Sequence, residues 1–372
     1  MASDPADRAG AILEIDLAGI AANWRSLAQR VAPASCAAVV KADAYGLGAA
    51  KVSAALAKEG CRLFFTATTD EAIALRCVLP ASSEIAVFNG PSPDCADEFV
   101  EYRLIPVLNH PGQIAEWQQV ASYRTGLPAM LHLDTGMSRL GLTKREFDKI
   151  ADQLLEQGAL RWRGLISHLA CADQPAHPLN ETQRVRFVSA RAHLGSLPAS
   201  LAASSGIFLG RDFHFDFVRP GAALYGVNPR PGAPNPMRQI IRLRGRILQV
   251  REVDPGQSVG YGATHVMDAP GRLATVAVGY ADGWLRSLSN RGSASLGGKR
   301  VPLLGRVSMD LVVFDVSDVD PVRVRPGNFI DLLDGEYGVD AMASDAGTIG
   351  YEILTSLGGR YHRVYRDTPS RC

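Results

Sequence analysis

From about residue 36 to residue 226, short apolar runs alternate with stretches of helical period, the pattern of repeated βα units around a parallel sheet. The strand candidates are residues 38–41, 63–66, 85–88, 105–108, 130–133, 165–168, 200–203 and a last one near Phe217 or Leu224. Between them lie helix-like segments such as 49–60, 69–79, 143–158 and 180–195, several opened by Thr or Asn as caps. Eight parallel strands point to a (β/α)8 barrel, a TIM-like α/β fold. A doubly wound open sheet is the competitor, but it usually needs fewer units, and no G-x-G-x-x-G fingerprint follows an early strand.

The pattern breaks at residues 228–236, NPRPGAPNP, where prolines and a glycine exclude regular structure and mark a linker. Beyond it the chain turns to short β-rich runs (240–250, 273–279, 300–305, 311–316 and 328–333) separated by Gly, Pro and Asp turns. The expected organisation is a barrel over residues 1–234 and a C-terminal mostly-β domain over 235–372. Two domains also suit a chain of 372 residues with 47% hydrophobic content.

The 39 basic and 38 acidic residues leave a formal charge of +1, which offers no grip on nucleic acid or an anionic membrane surface. A small-molecule partner is expected instead. The six cysteines form no CxxC pair and no zinc-spaced cluster, so reduced thiols and no metal are expected. The N-terminus, MASDPADRAG, fits neither a secretory signal nor a transit peptide, and no run approaches the roughly 20 apolar residues of a membrane span. The chain reads as soluble and cytoplasmic.

Chemistry enters first at Lys41, where the apolar run AVV delivers a lysine and the chain then drops into the glycine-rich ADAYGLG. Strand C-termini face the active site in a barrel, and a desolvated lysine there can condense its amine with an aldehyde. A lysine at that place can equally pack its stem on the rim and send its head to water. The segment KADAYGLG resembles the cofactor-lysine segment of the alanine racemase family, with a tyrosine four residues after the lysine, as Tyr45 is here. The resemblance continues through LDTGMSRLG (133–141), SHLA (167–170), VRPGAALYG (218–226), VGYGATH (259–265), VGYADGW (278–284), GRVSMD (305–310) and GYE (350–352). Any one of these is weak; all of them in the family's order span nearly the whole chain.

The resemblance implies a pyridoxal 5'-phosphate (PLP) enzyme that interconverts L- and D-alanine. It makes Lys41 the lysine that carries the cofactor and one of two catalytic bases, with Tyr261 as the other. Inverting a stereocentre means taking a proton from one face of Cα and returning one to the other, which a single side chain cannot easily do. Free phenols titrate near about 10, so a tyrosine in this role needs neighbours that favour its anion; the resemblance offers His168 and Arg219. It also places Arg219 on the cofactor's ring nitrogen, where a guanidinium cannot readily give up a proton, and this disfavours transamination. Without the resemblance, Tyr261 reads as a turn tyrosine, His168 as a core histidine and Arg219 as a salt-bridge arginine.

For the cofactor phosphate the resemblance points to Tyr45, Ser205, the backbone of Gly221 and Ala222, and Tyr351. For the amino acid's carboxylate it points to Arg139 and the backbone at Met309, with Asp310 orienting its neighbours. Tyr280, with Tyr351 and Tyr261, is placed near the mouth of the site, where bulk would exclude side chains much larger than a methyl group; serine is only slightly larger. The sequence departs from the family at His132, where many members carry a lysine that can be carbamylated and help position the arginine. No carbamate is expected here, and Arg139 must be held by other means. Ser204 stands where many relatives have asparagine, and Ala222 where some have a larger aliphatic residue. The resemblance further implies a head-to-tail homodimer with shared sites. Rival readings are a serine or broad-specificity racemase, a decarboxylase of the same architecture, which calls for an acidic partner to the ring nitrogen, and a non-catalytic PLP-binding protein, which leaves residues 237–372 unexplained.

Overall fold

The structure, a computed structural model, describes residues 5–367 except 94, 125, 157–159 and 196. Contacts divide it into two units, one made of residues 20–237 and the other of residues 1–19 with 238–372.

In the first unit seven strands follow one another in sequence order, each parallel to the next: Ala38–Val39, Leu63–Thr66, Glu84–Val87, Ile105–Leu108, Leu127–His132, Leu160–Ile166 and Ala199–Ser200. The remaining gap is closed by Phe217–Val218. Its neighbour Arg219 bridges to Ala203, and it pairs in parallel with Ser35–Cys36, which runs on into Ala38–Val39. The sheet therefore curls through eight positions in the order read from the sequence. Its strands are buried on both faces, as their near-continuous apolar runs require: Phe64, Phe65, Ile85, Val107 and Leu165 are fully enclosed. Helices Ala49–Lys58, Thr69–Arg76, Lys144–Glu156 and Pro178–His193 fall where helical period was legible. Residues 228–236 carry no helix or strand, as the prolines dictate.

The second unit is built on the long strand Ile241–Val253, which pairs antiparallel with Phe329–Leu333, with Gly271–Val276 and with Ala11–Asp16. Ala11–Asp16 also pairs in parallel with His362–Arg366. The sequence reading carried the first domain from residue 1, whereas this N-terminal strand belongs to the sheet of the other unit. Its apolar face drives the placement: Leu13 and Ile15 are wholly buried, each contributing about 1.5–3 kcal/mol. Between them Glu14 is also buried, and it is tolerated because Arg244 and Arg366 each pair with it at 2.5 Å.

Candidate active site

The barrel unit gathers its candidate residues at the C-terminal ends of its strands. Lys41 follows the strand Ala38–Val39 and opens an unusual turn. Ala42, Asp43, Ala44 and Tyr45 all lie in the left-handed region, with φ of 52–56° and no glycine among them. Such a run costs on the order of 1–2 kcal/mol per residue and persists only where surrounding contacts enforce it. Those contacts are present: Ala42 N–H donates to Glu71 Oε1 at 2.6 Å, and Asp43 Oδ1 accepts the N–H of Ala49 at 2.7 Å. The loop expected after Lys41 is thus a held conformation that aims the lysine. Its ammonium lies 5.9 Å from the centre of the Phe88 ring. Burial lowers the Lys41 pKa, the Arg139 guanidinium adds to that, and Glu71 opposes both. An amine in this setting is more readily neutral and nucleophilic than a free lysine.

Arg219 is 2% exposed, and its guanidinium spends its protons on oxygens of the neighbouring strands' ends: Ser200 O at 2.8 Å, Ser200 Oγ at 2.5 Å and Ser167 O at 2.5 Å. No carboxylate pairs with it among the described residues, and burial alone pushes its pKa down to about 9. An uncompensated cation held rigidly inside a barrel is costly, and calls for an electron-rich or anionic partner. His168 is pushed down to about 3 by burial, and by the charges of Arg219 and Arg139; it is neutral at physiological pH. Its ring makes no hydrogen bond within the described chain, while its carbonyl accepts from Gln183 at 2.8 Å.

His132 is also neutral, its pKa pushed down to about 4 by burial and then by Arg219. Its Nδ1 lies 2.7 Å from Asn109 Oδ1, and the Asn109 amide nitrogen donates to Phe88 O and Val107 O, both at 2.9 Å. That orientation makes His132 the Nδ1–H donor and leaves Nε2 as an acceptor. Arg139 is exposed, on a loop shaped by Asp134, whose Oδ1 accepts the N–H groups of Gly136 and Met137 at 2.9 and 2.8 Å. The charge of Arg139 disfavours the protonated forms of Lys41, His132 and His168 alike.

The residues expected at the phosphate divide in an informative way. Tyr45 is buried against Gly221, where a Cβ would overlap its hydroxyl, and its ring packs on Tyr225 with centroids 4.8 Å apart. Gly221 N–H donates to Ser204 Oγ at 3.1 Å, and Ala223 N–H does the same. Ser204, singled out in the sequence only as a departure, therefore fixes this loop, and the N–H groups left without an acceptor among the described residues are those of Ser205, Gly206 and Ala222. Backbone N–H groups and hydroxyls of this kind suit a phosphate dianion. A tyrosine hydroxyl, open N–H groups, a carboxylate-free arginine and a lysine of lowered pKa fit the donor needs of PLP.

The second unit presents its candidates quite differently. Tyr261 follows Gly260 (φ 70°) in a short 3-10 turn, is 73% exposed, and makes no hydrogen bond from its hydroxyl among the described residues. Tyr280 and Met309 sit on two loops locked together by backbone: Tyr280 N–H donates to Ser308 O and Ala281 N–H to Met309 O, both at 3.0 Å. Gly279 is required at this contact, because a Cβ there would overlap Met309 O. Arg360 ties the pair a second time, reaching buried Asp282 at 2.9 Å and Asp310 at 2.7 Å. Asp310 thus braces the loop through Arg360, and the Met309 N–H is left without an acceptor among the described residues. Tyr351 lies in the helix Gly350–Ser356, 38% exposed. Sequence reasoning missed Glu71, Asn109, Ser204 as a brace, and the Asp282–Arg360 pair. Only Glu71 left a local sign, as the fourth residue of the capping box opened by Thr68.

Residues 15–229 match the family described as alanine racemase, N-terminal domain, and residues 240–365 match its C-terminal domain. The chain belongs to the alanine racemase family. An alanine racemase of Rhodospirillum rubrum is 52% identical over 362 residues, covering 96% of each chain. A catabolic alanine racemase of Mesorhizobium japonicum is 48% identical over 96% of this chain and 93% of its own. Among solved structures, alanine racemase from Bartonella henselae with covalently bound pyridoxal phosphate superimposes with a TM-score of 0.92 at 41% identity, over 96% of this chain and all of that one. The membership accords with the barrel, the mostly-β unit and the order of motifs. Among the described residues no helix is long and apolar enough to cross a membrane.

Proposed function

We propose that this chain is a PLP-dependent alanine racemase acting with two bases, Lys41 and Tyr261. The observation that carries the reading is the barrel's group of Lys41 with a lowered pKa, neutral His168 and buried Arg219 without a carboxylate, in a chain of this family. PLP, when bound, supplies an aldehyde for the amine and a conjugated ring that acidifies the Cα–H. Lys41 would hold the cofactor and exchange a proton on one face of Cα. Tyr261 would exchange the proton on the other face, with His168 beside it.

Arg219 would face the ring nitrogen as a hydrogen-bond donor that does not give up its proton, a setting that would favour reprotonation at Cα over transamination. Tyr45, Ser205, Gly221, Ala222 and Tyr351 hold the phosphate, and Arg139 with the Met309 N–H anchors the alanine carboxylate. Gly221 N–H is shared with Ser204 Oγ in this assignment. Tyr261, Tyr280 and Tyr351 limit the side chain to about the size of a methyl group. Exposure of Tyr261, Tyr280, Met309 and Tyr351 on one unit supports a homodimer in which each β unit completes the other protomer's barrel. The protein works in the cytoplasm, forming D-alanine for peptidoglycan or, in reverse, feeding alanine catabolism.

The test is D-alanine formation from L-alanine by the purified PLP-loaded protein, with Tyr261→Phe beside it. Turnover that collapses in the variant supports both the reaction and the second base. Turnover of L-serine but not L-alanine would overturn the substrate, and PLP binding without turnover of any amino acid would overturn the enzymatic reading.

A further inference from the structure

Four consecutive left-handed residues without a glycine cannot hold themselves, so the position of Lys41 depends on what clamps the turn behind it. Two of the clamps are internal: Ala44 N–H returns to Val40 O at 2.9 Å, and Asp43 receives the N–H of Ala49 from the following helix. The third comes from a different βα unit. Glu71 Oε1 accepts Ala42 N–H at 2.6 Å, while its other oxygen accepts Ala67 N–H at 2.8 Å and Thr68 N–H at 3.4 Å. Its own N–H returns to Thr68 Oγ1 at 3.4 Å. One side-chain carboxyl group therefore caps the helix Thr69–Arg76 and grips the residue next to Lys41. Bonds to a charged acceptor are among the stronger ones available for such a task.

We infer that Glu71 is a positioning residue for Lys41, fixing the left-handed turn so that the lysine presents its amine to the cofactor aldehyde. The inference rests on the reading of Lys41 as the cofactor lysine. Helix capping alone would also account for a Glu three residues after Thr68, so the test must separate the two duties of one side chain. Thr68→Ala removes the cap but leaves the bond to Ala42. Glu71→Ala removes both. Glu71→Gln has a single acceptor oxygen, so it can satisfy Ala42 or Ala67 but not both.

The holoenzymes of all three variants are compared with wild type for PLP dissociation, for the rate at which borohydride fixes PLP on Lys41, and for the pH midpoint of the cofactor's visible absorbance. Glu71→Ala is expected to weaken PLP retention by about tenfold or more and to slow fixation, as loss of a charge-assisted bond implies. Glu71→Gln should fall between it and wild type, with a shifted midpoint because the charge beside Lys41 is gone. Thr68→Ala should lower thermal stability yet keep retention within about twofold of wild type, since a cap affects helix stability. If Glu71→Ala does not fold, Glu71→Gln and Thr68→Ala still decide the matter. Wild-type retention, fixation rate and midpoint in Glu71→Gln would overturn the inference, as would equal losses in Thr68→Ala and the Glu71 variants. Fixation of PLP on a residue other than Lys41 in wild type would instead overturn the reading beneath it.

Discussion

The barrel unit and the β unit carry the two halves of the proposed chemistry in opposite ways. On the barrel side the functional groups are enclosed and tied: Arg219 is 2% exposed with three bonds to neighbouring oxygens, and His132 is 8% exposed and bound to Asn109. Their pKa values are displaced, which is the mark of a field fixed before any ligand arrives. On the β side Tyr261 is 73% and Met309 53% exposed, and order comes from backbone locks between loops rather than from enclosure of the side chains. The barrel unit's groups are held by partners within that unit, with Arg219 still lacking a carboxylate among the described residues. The other unit leaves the side chains of Tyr261 and Met309 exposed, which is the observation behind the proposed second protomer.

The most severe way to break this comparison is to remove one base from each unit. Lys41→Ala should abolish D-alanine formation together with covalent cofactor retention, whereas Tyr261→Phe should lower turnover by about 10²–10⁴-fold with the cofactor kept. Mixing Lys41→Ala with Tyr261→Phe under conditions of verified subunit exchange should restore activity, because some mixed dimers hold one intact site. Lack of recovery would place both bases of a site in one chain.

The asymmetry also decides what was legible in the sequence. Barrel strands declared themselves because burial on both faces demands continuous apolar runs, and Leu63–Thr66 and Ile105–Leu108 have the bounds the runs gave. Ala11–Asp16 pairs with strands that begin at His362 and Ile241, and such distant pairing leaves no local trace. Lys41 is singled out by its place at a strand end, and Arg219 and Tyr261 by motif resemblance, while the groups that hold the barrel site are not. Glu71 supports a turn 29 residues away and Asn109 a histidine 23 residues away. Residue type and local period say nothing of such bonds.

Two glycines sharpen the comparison at a smaller scale. A Cβ at Gly221 would overlap the Tyr45 hydroxyl, and one at Gly279 would overlap the Met309 carbonyl. Gly221→Ala should therefore weaken PLP binding by about 10–100-fold, the usual cost of overpacking a fitted contact. Gly279→Ala should raise the KM for alanine by a similar factor and leave cofactor affinity unchanged. PLP titration and steady-state kinetics on both variants would show the split, and a cofactor defect in Gly279→Ala would mean that the two units do not divide the labour this way.

A last effect is one of pH, read in stability and not in binding, and its sign differs between the units. In the unfolded chain His132 and His168 take up protons below about 6.5. In the folded barrel they do not until about 4 and about 3. Across that window the unfolded state binds more protons, so stability falls as pH falls, by up to about 1.4 kcal/mol per pH unit for each histidine. In the β unit burial raises the pKa of Asp282, so there the folded state binds the extra proton on acidification and is favoured by it. Amide exchange at pH 6.5 and pH 5 should therefore show protection lost in residues 20–237 with no matching loss around Asp282. His132→Asn keeps a donor towards Asn109 without a group that titrates in this range, and should remove part of the barrel's pH slope. An unchanged slope in that variant would mean that His132 already carries a proton in the folded protein, and that the barrel side of the site is less dry than its burial implies.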